Sequence, residues 1–249
     1  MTLPDSQSSR PDISLIIPAL NEEGNLTSLI QRILAILKEN DLQAEILIVD
    51  DCSSDGTLAE ARGLEVRFPE VRALHKPLPH GLGRGVRFGI EHASGRMGVV
   101  IMADGVDPLS TIVDFKRAII DQGAQLALLS RYLNPGDAES IPWSYKAFQY
   151  FFRWTSYLWV GVRFKDTTYA YRAFDIDYVR ALNLRGDGFE ISPEITFAVF
   201  LSGGRIKEVR GQQTRRVNGM SKFLFRRAAG GYSRVLLTAL SRRLFRQPW

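Results

Sequence analysis

Three clusters rich in acids stand directly after short apolar runs of this sequence. They read Pro-Ala-Leu-Asn-Glu-Glu at 18–23, Asp-Asp-Cys-Ser-Ser-Asp-Gly-Thr at 50–57 and Ala-Asp-Gly-Val-Asp-Pro at 103–108. Carboxylates accept hydrogen bonds from a base or a ribose, and they hold a divalent cation on a diphosphate. One such cluster alone is ordinary helix capping. Three of them at the same edge of a sheet indicate a binding site.

The elements around these clusters alternate between strand and helix. Strands are predicted over 13–17, 45–49, 71–75, 98–102 and 125–129, with helices between them near 26–37, 54–62, 81–93 and 108–122. This alternation predicts a mostly parallel sheet with right-handed crossovers. Ligands of such a sheet bind beyond the C-terminal ends of its strands. We therefore expect all three clusters at that edge.

A dinucleotide-binding enzyme is the obvious alternative for such a sheet. Its glycine motif follows the first strand directly, so that helix amides meet the pyrophosphate. Here the glycines Gly81, Gly83 and Gly85 come only after the third strand, and a Walker A lysine motif is absent. The three histidines also lack the spacing of a zinc site. The sequence excludes these classes.

The composition favours one large α/β domain. The chain has 249 residues, of which 45% are hydrophobic and 24% are charged, and this is enough to bury a full core. We expect a flexible segment over 1–12, a single domain over 13–225 and a basic amphipathic tail over 226–249. No apolar run approaches the length of about 18 residues that predicts a transmembrane helix. The single cysteine, Cys52, is typical of a reducing cytoplasm.

Charge is distributed unevenly along the chain. Residues 205–249 carry twelve Lys or Arg and one acid, whereas residues 1–204 carry 20 basic and 26 acidic residues. A basic tail binds nucleic acid, anionic lipid or a phosphorylated substrate. Aromatic residues are sparse in the tail, so nucleic acid is not the expected partner.

A predicted helix over 145–162 is dense in aromatic residues. Apolar side chains cover most of its circumference, with interruptions at Lys146, Gln149 and Arg153. One interpretation is a helix buried against the sheet. The other is an element at a lipid interface, because Trp and Tyr favour that boundary.

The ordered motifs of the sequence resemble those of the family 2 glycosyltransferases. They are most similar to the branch that makes dolichyl- or polyprenyl-phosphate mannose or glucose. The resemblance extends from residue 13 to residue 223 and rests on the runs SLIIPALNEEGNL, ILIVDDCSSDGT, HGLGRGVRFGIEHASG, VVIMADGVDP, LLSRYL, DTTYAYRAF, FEISPEI, GGRIKEV and RRVNGMSKF. The fold that it implies is GT-A, a Rossmann-like α/β domain with a mostly parallel sheet between helices.

The resemblance also implies the residues of a donor site. It places a nucleotide against Pro18, Leu20, Asn21, Glu22, Asp50, Gly83, Arg84, Ala103 and Asp104. Asp104 matches the second acid of the family's metal motif, whereas Met102 and Val106 replace ligands that relatives carry. Asp107 is then the expected second oxygen ligand of Mg²⁺ or Mn²⁺.

Cations are implied on the acceptor side. The groups expected to bind an acceptor phosphate are Arg131, Arg216, Ser221 and Lys222, since Arg offers a planar fork to phosphate oxygens and Lys a point charge. Asp166 and Arg172 belong either to the site or to a structural ion pair. Glu194 matches a family acid near the acceptor, in preference to Glu190. The implied catalytic residues are Asp104, Arg131 and Glu194.

The implied function is inverting sugar transfer from a nucleoside diphosphate sugar such as GDP-mannose or a UDP-sugar. A polyprenyl phosphate acceptor is already anionic, so the enzyme needs only to align two anions and neutralise the leaving diphosphate. This acceptor predicts a peripheral protein on the inner, cytoplasmic face of a membrane. A lipid or glycan hydroxyl would instead need a carboxylate base, Glu190 or Glu194. A noncatalytic sugar-nucleotide-binding protein is the third hypothesis, motivated by Met102 and Val106.

Overall fold

The computed structural model describes residues 10–139, 141–212 and 225–249. Within them, seven strands form one sheet in the order β3-β2-β1-β4-β6-β5-β7. The strands are β1 (Ile13–Ala19), β2 (Ala44–Asp50), β3 (Val71–His75), β4 (Met97–Val100), β5 (Leu126–Ser130), β6 (Arg172–Asp175) and β7 (Ile206–Arg210). β6 runs antiparallel to β4 and β5, and the other neighbours are parallel. The predicted mostly parallel sheet is confirmed.

Helices cover both faces of this sheet. They are α1 (Leu26–Glu39), α2 (Thr57–Arg67), α3 (Leu82–His92), α4 (Ile112–Lys116), α5 (Trp143–Val160), α6 (Ile176–Arg180), α7 (Ile191–Leu201) and α8 (Phe225–Leu244). One face carries α1, α2 and α4, which contribute Leu26, Ala61 and Phe115 to its core. The other face carries α3 and α7, which contribute Val86 and Ile195. This burial on both faces explains why the parallel strands read as continuous apolar runs.

The elements predicted before residue 131 are present, with shifted ends. β4 ends two residues before the predicted limit of 102, and β5 extends to Ser130. The predicted helix over 108–122 is divided into a 3₁₀ turn (Leu109–Thr111), α4 and a π-helical turn (Arg117–Asp121). These shifts leave the carboxyl ends of the strands at one edge.

The described ends of the chain, which begin at Arg10 and finish with α8, contact the rest of the domain. α8 packs on α5 and α7 in a third apolar cluster, in which Phe152, Phe197 and Tyr232 are each at most 4% exposed. The basic tail is therefore a helix of the domain surface. At the other end, the guanidinium of Arg10 pairs with Asp177 of α6 at 2.7 Å.

α5 buries one face and exposes the other. The buried face packs on α7 and α8, whereas the sequence predicted a helix packed against the sheet. Phe152, Ser156 and Val160 lie in the interior. The exposed face, called here the aromatic stripe, consists of Trp143, Tyr150, Phe151, Trp154, Tyr157, Leu158 and Trp159, with exposed fractions of 38–76%. Exposed apolar side chains grouped in this way are typical of an interaction site.

Candidate active site

The first two acid clusters meet at the carboxyl ends of β1 and β2 and are hydrogen-bonded to each other. The N–H of Asn21 donates to Ser53 Oγ at 3.0 Å, and Asn21 Oδ1 accepts from the N–H of Ser54 at 2.8 Å. The N–H of Glu22 donates to Thr57 Oγ1 at 2.8 Å. Asn21 has a φ of 51°, a left-handed conformation that asparagine tolerates. The two loops thus form one rim of the sheet.

Asp50 lies at the end of β2 and is buried behind this rim. Its side chain is 1% exposed. Its Oδ1 accepts the N–H of Ser53 at 3.1 Å, and its Oδ2 lies 2.7 Å from Nδ1 of His75. His75 is the last residue of β3, pairs with Asp50 in the sheet register and is 48% exposed. The imidazole of His75 is therefore exposed at the point where the sequence predicted the carboxylate of Asp50 to meet a nucleotide.

Asp51 organises the segment that leads into α3. Its carboxylate forms a buried ion pair with Lys76 at 2.7 Å, and its Oδ2 accepts the N–H of Gly81 at 2.6 Å. Gly81 has a φ of 154°, and a Cβ there would lie 2.2 Å from the carbonyl oxygen of Asp187. Only glycine fits this approach. Asp51 therefore fixes where α3 begins relative to β2.

Gly83 and Arg84, expected near a nucleotide, lie against the loop over 185–188. Their N–H groups donate to the carbonyl oxygen of Asp187 at 2.9 and 3.3 Å. The carboxylate of Asp187 pairs with Arg84 at 2.5 Å and with Arg87 at 3.0 Å. This loop therefore covers the N-terminal end of α3 and forms one side of the site.

Two acids at the start of α7 hold that loop in place. Glu194 accepts from the N–H groups of Arg185 and Gly186 at 2.8 and 2.6 Å, one on each oxygen. Glu190 accepts from the next two N–H groups of the loop at 3.0 Å each. Burial raises the pKa of Glu194. The structure thus gives Glu194 a supporting role beneath the loop, with both oxygens engaged by backbone amides.

The third cluster forms the loop after β4. Asp104 is half-buried, and its Oδ1 accepts the N–H of Val106 at 3.4 Å. Asp107 is 0% exposed. Its Oδ2 accepts the N–H of Met102 at 2.7 Å, and its Oδ1 accepts the hydroxyl of Tyr169 at 2.6 Å. Burial raises the pKa of Asp107 to about 7.

This geometry does not favour the expected role of Asp107 as a metal ligand, because both of its oxygens support the loop from inside. No group of three or more His, Cys, Asp or Glu in the described part of the chain is arranged to hold a metal ion. Mg²⁺ is often bound by one or two carboxylates together with substrate phosphates and water. Asp104 therefore suits a site in which one carboxylate and the substrate diphosphate bind the cation together.

The remaining expected pocket residues lie along the same edge at different depths. Leu20 and Glu22 are half-buried, whereas Pro18 and Ala103 are buried. A Cβ at Gly85 of α3 would lie 3.3 Å from Pro18 Cβ. Pro18 and Ala103 thus form the base of the edge, and Leu20 and Glu22 form its surface.

Arg131 follows β5 at this edge and forms a two-pronged ion pair with Asp166. Its Nε and Nη2 donate to Oδ2 and Oδ1 at 2.7 and 3.2 Å, and Asp166 is 0% exposed. The guanidinium lies over the ring of Tyr169, 4.0 Å from its centroid. Burial acts to lower the pKa of Arg131, but Asp166 outweighs it and the pKa is raised. Gln149 of α5 also donates to Asp166, at 3.2 Å, which connects the pair to α5.

The suggested ion pair between Asp166 and Arg172 is wrong. The guanidinium of Arg172 is buried and donates instead to the carbonyl oxygens of Thr167, Tyr169 and Ser192. Burial lowers the pKa of Arg172 to about 10. Arg172 thus connects β6 to the first turn of α7, while Asp166 takes Arg131 as its partner.

The structure brings the three acid clusters and Arg131 to one edge of the sheet. The other expected acceptor groups, Arg216, Ser221 and Lys222, lie outside the described residues. His75 and Asp187 were missed by the sequence reasoning. The signal that could have identified His75 is its position, because it is a polar residue at the end of β3, next to β2. Asp187 lies in a loop whose contact with α3 carries no local signal.

The chain is similar in sequence to proteins of a known family. The family model of glycosyl transferase family 2 matches residues 14–179. A polyprenol monophosphomannose synthase of Mycolicibacterium smegmatis is 30% identical over 218 residues, which cover 84% of this chain and 79% of the relative. An undecaprenyl-phosphate mannosyltransferase of Micrococcus luteus is 31% identical over 216 residues, which cover 83% and 85%.

Solved structures confirm the predicted GT-A fold. A glucosyl-3-phosphoglycerate synthase from Mycobacterium tuberculosis, in complex with Mn²⁺, UDP and glucosyl-3-phosphoglycerate, superimposes with a TM-score of 0.66. The match covers 94% of this chain and 80% of that one at 19% identity. At this identity the likeness establishes the fold and leaves the substrates to be argued from the site.

Proposed function

The chain belongs to glycosyl transferase family 2, and on this premise we propose that it moves a sugar from a nucleoside diphosphate sugar to a polyprenyl phosphate at the inner face of a membrane. It is a glycosyltransferase with a GT-A fold. The observation that carries the proposal is the position of α5. Its aromatic stripe adjoins the end of β5 where Arg131 stands, because the ring of Tyr150 in the stripe lies 5.9 Å from the ring of Tyr132, the residue after Arg131.

The donor nucleotide lies along the carboxyl ends of β3, β2, β1 and β4 in this proposal. The joined loops of the first two clusters bind the nucleoside, and Asp104 stands at the diphosphate end. Asp104 would hold a divalent cation, which would supply positive charge to the leaving diphosphate. Asp107 keeps the Asp104 loop in shape from below through its bonds to Met102 and Tyr169.

The acceptor phosphate approaches from the side of β5. A phosphate oxygen attacks the anomeric carbon, the bond from that carbon to the diphosphate breaks, and the configuration inverts. Because the phosphate is already anionic, no general base is required, which agrees with the engagement of both Glu194 oxygens by backbone amides. Arg131, Arg216, Ser221 and Lys222 are the proposed phosphate-binding groups. The positive charges of the two arginines and the lysine reduce the repulsion between two anionic substrates.

The aromatic stripe supplies the membrane contact. Arg153 lies over the ring of Tyr150 at 5.2 Å and Arg163 over that of Tyr157 at 5.4 Å, and Arg243 of α8 donates to the carbonyl oxygen of Leu158. Aromatic side chains bordered by arginines suit the headgroup region of an anionic bilayer. No helix in the described part of the chain combines the length and hydropathy needed to cross a bilayer. In this proposal the stripe and its arginines attach the protein to the membrane surface.

Transfer is tested with the full chain and labelled GDP-mannose, UDP-glucose or UDP-GlcNAc in the presence of Mg²⁺ or Mn²⁺. The acceptors are a short polyprenyl phosphate and the matching polyprenol. We expect labelled glycolipid from one donor with the phosphate only, since the polyprenol lacks a nucleophile that is anionic at neutral pH. Transfer to the polyprenol only would contradict the proposed phosphate acceptor and would favour a hydroxyl acceptor.

Removal of two aromatic side chains from the stripe is expected to weaken membrane binding. The double variant F151S/W154S should bind vesicles that contain anionic lipid about 100-fold more weakly, because each aromatic side chain contributes about 1.5 kcal/mol or more when buried. Co-sedimentation with vesicles measures the loss. The matched control is V66S on α2, where Val66 is 88% exposed outside the stripe. Equal binding of the double variant and the control would contradict the assignment.

A further inference from the structure

The exposed end of the Asp50–His75 pair lies where a nucleoside would bind. Asp50 is almost completely covered, whereas His75 keeps 48% of its side chain exposed at the end of β3. Its neighbours along this part of the edge are Cys52, whose Sγ lies 3.9 Å from the imidazole Nε2, and the rim loops. Asp50 itself therefore offers a ligand little direct contact.

The carboxylate of Asp50 sets which nitrogen of His75 faces outward as an acceptor. A carboxylate only accepts hydrogen bonds, so the Nδ1 that lies 2.7 Å from Asp50 Oδ2 carries the proton. In the neutral ring Nε2 is then an acceptor. Since the second Asp50 oxygen is held by the N–H of Ser53, the carboxylate and the ring are fixed together.

The position of His75 in the sheet matches the base end of a nucleotide. β2 and β1 separate β3 from β4, and neighbouring strands are about 4.8 Å apart, so His75 and the Asp104 loop lie roughly 14 Å apart across the edge. An extended nucleoside diphosphate spans a distance of this order. With the diphosphate at Asp104, its base reaches β3.

We propose that His75, oriented by Asp50, binds the nucleobase by accepting a hydrogen bond from a ring N–H that lies beside a carbonyl group. Uracil and guanine have such an N–H, and adenine and cytosine do not. Asp50 is then a positioning residue that acts through the imidazole. This inference rests on the proposed use of a nucleoside diphosphate sugar, and it identifies the residue that selects the base.

Two substitutions of His75 separate the functions of its two nitrogens. The side-chain amide of H75N can keep the bond to Asp50 but has no group at the Nε2 position. The amide of H75Q reaches the Nε2 position but loses the bond to Asp50. The matched control is H92N, because His92 lies at the far end of α3, where its Nδ1 bonds to the carbonyl oxygen of Phe88.

Calorimetry with the full chain and Mg²⁺ uses GDP, UDP, ADP and inorganic pyrophosphate as probes. For whichever of GDP or UDP binds wild type, we expect H75N to weaken binding about tenfold or more and H75Q by less. H92N should bind like wild type, and the affinity of all variants for pyrophosphate should stay within about twofold. The preference for this nucleotide over ADP should shrink in H75N. In transfer assays, the donor KM should rise while kcat stays nearly constant.

Different outcomes separate this inference from the proposed function. Unchanged binding of GDP or UDP by H75N would overturn the role of His75 and leave the glycosyltransferase proposal intact. Equal weakening of pyrophosphate binding would show a structural effect on the rim and would also overturn it. Absence of any nucleotide binding by wild type would overturn both.

Discussion

Asp104→Ala is expected to reduce sugar transfer by about 1000-fold or more while the protein stays folded. Asp104 is the half-buried acid of the loop after β4, at the edge where a diphosphate and its cation bind in our proposal. Loss of a single preorganised group that stabilises transition-state charge costs about 100- to 1000-fold in kcat, and loss of a cation's protein ligand removes the cation's contribution as well. Turnover of labelled donor with saturating polyprenyl phosphate measures the effect.

Asp104→Asn separates the charge of this side chain from its backbone bond. The amide oxygen can still accept the N–H of Val106, so the loop keeps its shape, but the negative charge is lost. We expect D104N to be almost as inactive as D104A and to melt like wild type. The control is Asp114→Ala, which removes a half-exposed acid of α4 that pairs with Arg117 and should leave activity unchanged. Full activity of D104N would remove Asp104 from the site.

Arg131→Ala is expected to lower the free energy of unfolding by roughly 3–5 kcal/mol. The substitution leaves Asp166, which is 0% exposed, as a buried carboxylate without its cation. It also removes the guanidinium from the ring of Tyr169. Urea unfolding followed by circular dichroism measures the change. The control is R163A, because Arg163 is exposed beside Tyr157 and surface substitutions usually change stability by less than about 0.5 kcal/mol.

The double variant R131A/D166N separates stability from acceptor binding. Conversion of Asp166 to an amide removes the buried charge, so the double variant should recover much of the stability that R131A loses. If Arg131 also binds the acceptor phosphate, the acceptor KM of the double variant stays high. A single variant R131A as stable as wild type would contradict the ion pair, and a normal acceptor KM in the double variant would contradict the binding role.

The sequence predicts the edge of the sheet that carries the site. Apolar runs that end in Pro18, Asp50 and Ala103 set three strand ends, and a parallel sheet brings such ends together. The structure confirms this arrangement in the bonds of Asn21 to Ser53 and Ser54. β6 was not predicted, because Arg172–Asp175 is four residues long and is defined by its pairing with β4 and β5. These four residues form a strand only because they pair with β4 and β5.

The partners of the charged side chains were decided only in three dimensions. Sequence proximity suggested Arg172 for Asp166, but Asp166 pairs with Arg131, 35 positions away. Asp107 follows Asp104 closely in the chain, yet it turns inward to Tyr169, 62 positions away. The charge and type of a residue show that it needs a hydrogen-bonding or ionic partner. Burial in a low-dielectric interior makes an unpaired group costly.

The amino-acid sequence by itself determined the fold class, the family and the edge at which chemistry occurs, because strand ends and their polar residues are local features of the chain. The tertiary structure alone decided that His75 covers Asp50, that Glu194 holds a loop, and that α5 exposes its aromatic side chains beside Arg131. These features depend on which distant elements pack together, and packing is a property of the whole chain that no local pattern encodes.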